Sequence, residues 1–260
     1  MEPIRIAYQS YTDESQAGTY WKYLQAHLDE IIDEGTIVDI KGITPPDAFA
    51  HSISEMRCAR EMIINAITAE REGYDAFAVG HFQDAGLYEA RATLDIPVHG
   101  LGEASMLYAC QLGQQIGIVT INPRYKSWFH HQIGKYGLGE RVTGVHAMSF
   151  QPGSILAAFD KEDGLEEVVK LFAEQGKPLV EQGVDVLIPG GGIPMLLFSG
   201  VHNHNVDGAP VINGISILVK MTEMAVKLKR LTGLSVSRTN DFAMPEPELI
   251  EEFMTNPKGL

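Results

Sequence analysis

The sequence predicts an α/β protein of two pseudo-symmetric halves, each built on a parallel sheet, with an active-site cleft between them. Two observations predict it. Short β-branched or apolar runs alternate with longer amphipathic ones along all 260 residues, the pattern of successive βα units. The order also recurs: a helical stretch ends in Glu72-Gly-Tyr-Asp75 in the first half and in Gln182-Gly-Val-Asp185 in the second, an apolar strand follows, and then a glycine-bearing loop. His81 in the first loop and Gly191 in the second are 110 positions apart, a reasonable size for one duplicated half.

Strands are expected at Ile4–Tyr8, Thr36–Ile40, Ala76–Gly80, Pro97–Gly100 and Gln115–Thr120, then at Val142–Met148, Val186–Pro189 and Pro210–Asn213. Helices are expected at Thr19–Leu28, Ser54–Glu72, Leu87–Leu94, Glu103–Leu112 and Pro123–Tyr136, then at Ser154–Phe159, Gly164–Gln182 and Ile215–Thr232. Gly73 and Gly183 read as helix C-caps, because a positive φ is cheap only without a Cβ. The first half is placed at residues 1–120 and the second at 121–214, with 215–235 as a helix returning to the first half. The acidic tail 236–260, with its Pro245-Glu-Pro247 start, is expected to be a solvated capping helix or to dock on a neighbouring subunit.

An apolar fraction of 45% supplies a real core. A net charge of −14 leaves no basic face for phosphates, so neither nucleic acid nor an anionic membrane is an expected partner. No apolar run approaches the roughly 20 residues a bilayer span needs, and the N-terminus lacks a leader pattern. A cytoplasmic protein, forming a homo-oligomer and acting on a small-molecule substrate, is expected. Cys58 and Cys110 fall within expected helices and suggest neither a disulfide framework nor a zinc knuckle.

Ligands of open parallel sheets bind beyond the carboxyl ends of strands, where His81 lies. Imidazole suits proton transfer near neutral pH. Asp84 reads as the N-cap of the helix beginning near Gly86 or Leu87, whose N-terminal amides can hold an anion, or as a substrate-site residue that organises the loop. Gly190, Gly191 and Gly192 offer room and backbone amides for an oxyanion or carboxylate, or form a tight turn without a ligand. Val201-His202-Asn203-His204 has a spacing compatible with metal ligation, and with His81 can supply three imidazoles, but no carboxylate companion is visible and no metal is expected. His202 is then a substrate-contact candidate. No P-loop, dinucleotide fingerprint or nucleophile elbow occurs, so no cofactor is expected.

The stretches Gly80-His-Phe-Gln-Asp84-Ala-Gly-Leu87, Gly100-Leu-Gly-Glu103-Ala and Pro189-Gly-Gly-Gly192 resemble the aspartate/glutamate/hydantoin racemase superfamily, most closely its hydantoin racemase branch, over about residues 4 to 235. The resemblance implies two Rossmann-like (flavodoxin-like) halves. It also implies a catalytic cysteine in each loop, at the positions held here by His81 and Gly191, so chemistry by two facing thiols is not available to this chain. By resemblance, Ser10, Thr120 and Asn122 belong to the loops that hold substrate, with Thr12, Gln83 and Tyr125 beside them. Gln9-Ser10 stands where hydantoin racemases tend to have Pro-Asn, and Ile121 where a second Thr is usual. The expected activity is a hydantoin racemase-like isomerase acting on a small cyclic amide or carboxylate by proton transfer at His81. A hydrolase or lyase on the same scaffold, with or without a metal, and an inactive metabolite-binding protein are the alternatives.

Overall fold

The computed structural model describes residues 2–47, 49–150, 154–201 and 203–255. Strands buried on both faces read as continuous apolar runs. Three of the chain's runs are of that kind: β3 (Ala76–Val79), β5 (Ile116–Thr120) and β7 (Val186–Gly190) are buried at every residue. Around them two parallel sheets form. In the first, β1 (Ile4–Gln9) lies between β2 (Thr36–Lys41) and β3, and β4 (Val98–Gly100) pairs on the far side of β3. In the second, β5 lies between β6 (Val142–Ala147) and β7. Each half therefore places its first strand between its second and third, the flavodoxin-like order, which makes the halves pseudo-symmetric.

The connecting helices are α1 (Gly18–Ile31), α2 (Ser52–Arg71), α3 (Leu87–Thr93), α4 (Leu101–Leu112), α5 (Tyr125–Lys135) and α6 (Gly164–Glu181). One core cluster joins Ile6 and Ala78 of the first sheet to Ile118 and Ile188 of the second, so apolar packing is continuous between the halves. A short α7 (Gly192–Leu197) follows β7 directly, where the sequence reading had only a loop.

The long helix α8 (Gly214–Thr232) is capped by Asn213, whose Oδ1 accepts from the backbone of Ile215 and Ser216, and it ends at Gly233 with φ +74°. It packs against α4, β3 and β4. Lys220 and Lys227 both reach Asp33 at the end of α1, and Arg230 pairs with Asp75 at 2.8 Å.

Two expected elements differ. Ser154–Phe159 is a 3-10 helix, Ser154–Asp160. Pro210–Asn213 is not a strand of the second sheet: β9 (Ala209–Pro210) turns back antiparallel on β8 (Asn205–Val206), and only Val211 bridges to Leu187. Pro210 has no N–H to give a ladder, and Asn213 is already committed to capping α8. The tail helix α9 (Pro247–Thr255) lies on its own first half, with Ile250, Phe253 and Met254 against the α2 cluster and Arg60 Nη2 donating to the Phe253 carbonyl at 3.0 Å. Among the described residues, no helix is long and apolar enough to cross a membrane.

Candidate functional site

Parallel pairing brings Gln9 level with Val79 and Thr120 level with Gly190. The loops that follow therefore leave the two sheets at neighbouring carboxyl ends. They face each other closely: a Cβ on Gly192 would stand 3.1 Å from the Gly80 carbonyl oxygen. Between them is a cleft of about 80 Å³, partly open to solvent. Ser10, Thr12, His81 and Gln83 line it from the first half, and Ile121, Tyr125 and residues 190–194 from the second.

His81 is the most constrained group in the cleft. Its ring stacks on Tyr11 with centroids 4.0 Å apart and planes 6° from parallel. Tyr11 is itself pinned by its hydroxyl donating to the Ala85 carbonyl at 2.8 Å. His81 Nε2 lies 2.9 and 3.1 Å from the two carboxylate oxygens of Glu55, which stands near the start of α2. Burial works against a charged imidazole here, but the Glu55 carboxylate, with Asp47 and Asp84 behind it, outweighs burial and raises the His81 pKa. With Nε2–H donated to Glu55, the neutral ring keeps its lone pair on Nδ1, the atom left to accept a proton.

The titratable groups are unevenly divided. The first half contributes Tyr11, Tyr20, Asp47 and His81 to the lining, and the second contributes Tyr125 alone. Burial first, then the Asp47 and Glu55 carboxylates, raise the Tyr125 pKa, so its phenol stays protonated. Among the described residues no lysine, arginine or cysteine lines the cleft. Asp47, Glu55 and His81 each place one metal-ligating atom within 4.8 Å of the others, which makes them the described residues able to hold a cation.

Residues 20–222 match the family model described as Asp/Glu/Hydantoin racemase. The chain belongs to this family. A hydantoin racemase of Pseudomonas sp. (strain NS671) is 30% identical over 177 residues, covering 68% of this chain and 67% of that protein. Among solved structures, the allantoin racemase from Klebsiella pneumoniae superposes with a TM-score of 0.74 at 27% identity, covering 94% of both chains. The allantoin racemase from Pseudomonas fluorescens has the same fold, with a TM-score of 0.74 at 21% identity over 94% of this chain and 98% of that one.

On this racemase scaffold, the expected site residues separate into two groups. Ser10, Thr12, Gln83, Tyr125 and the three glycines join His81 at the cleft. Ser10 Oγ and Thr12 Oγ1 are 2.7 Å apart, and Thr12 also accepts from Trp21 Nε1 at 2.8 Å, which fixes the loop. Asp84, Thr120 and Asn122 are not among the lining. Thr120 Oγ1 donates to the Gly190 carbonyl at 3.3 Å, tying β5 to β7. Asn122 caps the turn into α5, its Oδ1 accepting from Arg124 N at 2.9 Å.

Asp84 is buried and does not cap α3, whose N-cap is Gly86. Its φ of +52° turns the carboxylate the other way, onto α4. There it accepts from the backbone of Gly102 at 3.0 Å and Glu103 at 2.7 Å, and from Gln132 Nε2 and Tyr136 Oη at 3.0 and 2.6 Å. Gly100-Leu-Gly-Glu103 is glycine-rich for this reason: a Cβ on Gly102 would come within 2.1 Å of the Phe82 carbonyl oxygen. The Gly191 amide, expected to face a ligand, is spent on the Pro189 carbonyl at 2.9 Å. Gly191 has φ +152°, and a Cβ there would sit 3.2 Å from Pro194 Cδ.

His202 lies outside the described residues. His204 is not in the cleft: its ring stacks on Phe198 and lines a separate surface cavity with His27. The trio of imidazoles that the spacing allowed, without a metal being expected there, is therefore not assembled. The carboxylates that do stand beside His81 were not expected. Glu55 had a signal, since it falls on the buried stripe of α2 with Cys58 and Met62, where an acid without a partner is costly. Asp47 had only its place in the loop after β2.

Proposed function

We propose that this family member is an isomerase moving a proton at a carbon beside a carbonyl of a small cyclic amide, with His81 as the proton carrier. The observation that carries the reading is the imidazole held in the interhalf cleft by Glu55 and Tyr11. Nδ1 takes the C–H proton, the bonding pair moves onto the carbonyl as an enolate, and Glu55 steadies the imidazolium through Nε2. Return of the proton to the same face regenerates the substrate, and inversion follows in the turnovers where the planar enolate turns over in the cleft before His81 reprotonates its other face; no atoms are lost, so the step needs no cofactor. Ser10, Thr12, Gln83 and Tyr125 hold the ring. A cleft with Asp47 on its wall and no lysine or arginine disfavours a dicarboxylate. The relatives that are hydantoin and allantoin racemases point the same way, to a neutral cyclic amide.

One enantiomer of a 5-substituted hydantoin, followed by polarimetry, tests this. His81→Ala is expected to lower kcat/KM by on the order of 10²- to 10⁴-fold, the usual share of acid/base catalysis. Unchanged turnover in the folded variant overturns the assignment. A second reading, hydrolase or lyase, is favoured by the Asp47 carboxylate beside His81, where a water can be activated. Ring-opened or decarboxylated product in the same reaction would select it.

A further inference from the structure

We infer that Asp47, Glu55 and His81 form a binding site for a single divalent transition-metal ion at the edge of the cleft. One imidazole nitrogen and two carboxylate oxygens, each within 4.8 Å of the others, come from three separate elements: the loop after β2, α2 and the loop after β3. The Nε2 to Glu55 separations of 2.9 and 3.1 Å match the roughly 3.0 Å between neighbouring ligands on an octahedral ion with bonds of about 2.1 Å, and lie somewhat under the roughly 3.4 Å of a tetrahedral one. All three ligand atoms lie within 4.8 Å of one another, against roughly 4.2 Å between opposite ligands of an octahedral ion, and rotation of the loop residue Asp47 is the movement that would close the difference.

The charge balance supports a cation. Among the described residues no lysine or arginine pairs with Asp47 or Glu55, and the ion pair that Glu55 does make is with His81. Glu55 is buried and Asp47 half-buried, so an unneutralised pair of carboxylates is costly there. Ser54 Oγ donates to Asp47 Oδ1 at 2.5 Å and orients it as an outer partner of a metal ligand does. Asp47 and His81 both line the cleft, so the remaining coordination positions open toward it. One nitrogen and two carboxylates suit zinc, manganese, iron(II) or cobalt(II) better than a thiolate-seeking ion. A metal on Nε2 displaces the proton shared with Glu55 and leaves the ring's single proton on Nδ1, so the metal-bound form and the proton-accepting form of His81 exclude each other. The inference goes beyond the proton-transfer reading and does not rest on it, since binding is measured without substrate.

Titration of chelator-treated protein with zinc chloride in a calorimeter tests the site. Binding of one zinc per chain is expected, weakened at least about tenfold in Asp47→Asn and in Glu55→Gln, and unchanged in a variant with His130 and His131, both exposed on α5, replaced by alanine. Cobalt(II) in place of zinc is expected to show visible bands without a thiolate charge-transfer band. No stoichiometric binding by about 100 µM zinc, binding as tight in both carboxamide variants, or a thiolate band each overturns the site. Should Glu55→Gln fail to fold, Asp47→Asn, in a loop, decides alone.

Discussion

His81 is held on three sides, by the Tyr11 ring, the Glu55 carboxylate and its own loop, and few cleft residues are so constrained. The two cysteines are the opposite case. Cys58 is fully buried, and burial pushes its thiol up to about 12, while Cys110 is absent from the cleft lining. Thiolates, not thiols, react with alkylating reagents. Iodoacetamide at neutral pH is therefore expected to leave native turnover nearly intact; substrate-protected loss of activity that mass spectrometry maps to either cysteine would contradict this. Gly191→Cys, which would restore a thiol to the second loop, must adopt φ near +152° with its Cβ against Pro194. The strain is about 1–3 kcal/mol, and a fall in Tm of roughly 2–10 °C is expected by calorimetry. An unchanged Tm would show that the loop relaxes freely. The place of His81 at the cleft was legible because it follows a strand of an open parallel sheet and matches a catalytic position of the family it resembles. Glu55 was missed because an acid in the first turn of a helix reads as a partner of the helix dipole, and only its register with Cys58 and Met62 marks it as buried.

The segment from β3 to α5 is organised around one buried carboxylate. Asp84 accepts four hydrogen bonds, two from the start of α4 and two from the side chains of Gln132 and Tyr136 near the end of α5, so it joins the first glycine loop to the second half. Burial raises its pKa to about 6, against the pull of those donors. Asp84→Asn turns an NH₂ toward donors and leaves buried groups unpaired, which costs about 2–4 kcal/mol, or a Tm lower by roughly 5–15 °C. A loss under about 1 kcal/mol would mean that the four bonds are dispensable. The segment shows where elements can be read from sequence and where they cannot. β3 and the helices after it follow from apolar period and glycine stops. The partner of Asp84 does not, because α4 begins 17 positions further on and nothing local pairs the two. The short α7 was hidden for a related reason: Gly190, Gly191, Gly192 and Pro194 all signal a turn, and tertiary packing of Met195, Leu196 and Leu197 overrides them.

At the scale of the molecule, the repeated strand order places two glycine loops on one cleft, and α8, which begins after the second half, is fastened to the first by Lys220 and Lys227 on Asp33. The lysine partners lower the Asp33 pKa to about 2. A depressed carboxylate pKa stabilises the fold above the unfolded value near 3.9 and is lost as pH falls through the folded one. Asp33 is largely exposed, so screening limits the effect to about 1 kcal/mol or less. The difference in denaturant midpoint between wild type and Asp33→Asn is expected to be constant above about pH 5 and to shrink toward pH 2; a difference that grows on acidification would reverse the sign. The central claim is that the proton-transferring group stands on one wall only, with Tyr125 the single titratable residue opposite among the described residues. A single enantiomer of a 5-substituted hydantoin in D₂O tests it most directly, with deuterium at C5 measured separately in each enantiomer after chiral separation. Deuterium should enter the unconverted enantiomer faster than the optical rotation decays, because His81 returns a proton to the face it came from. Deuterium confined to the inverted enantiomer would mean that a second base faces His81 across the cleft.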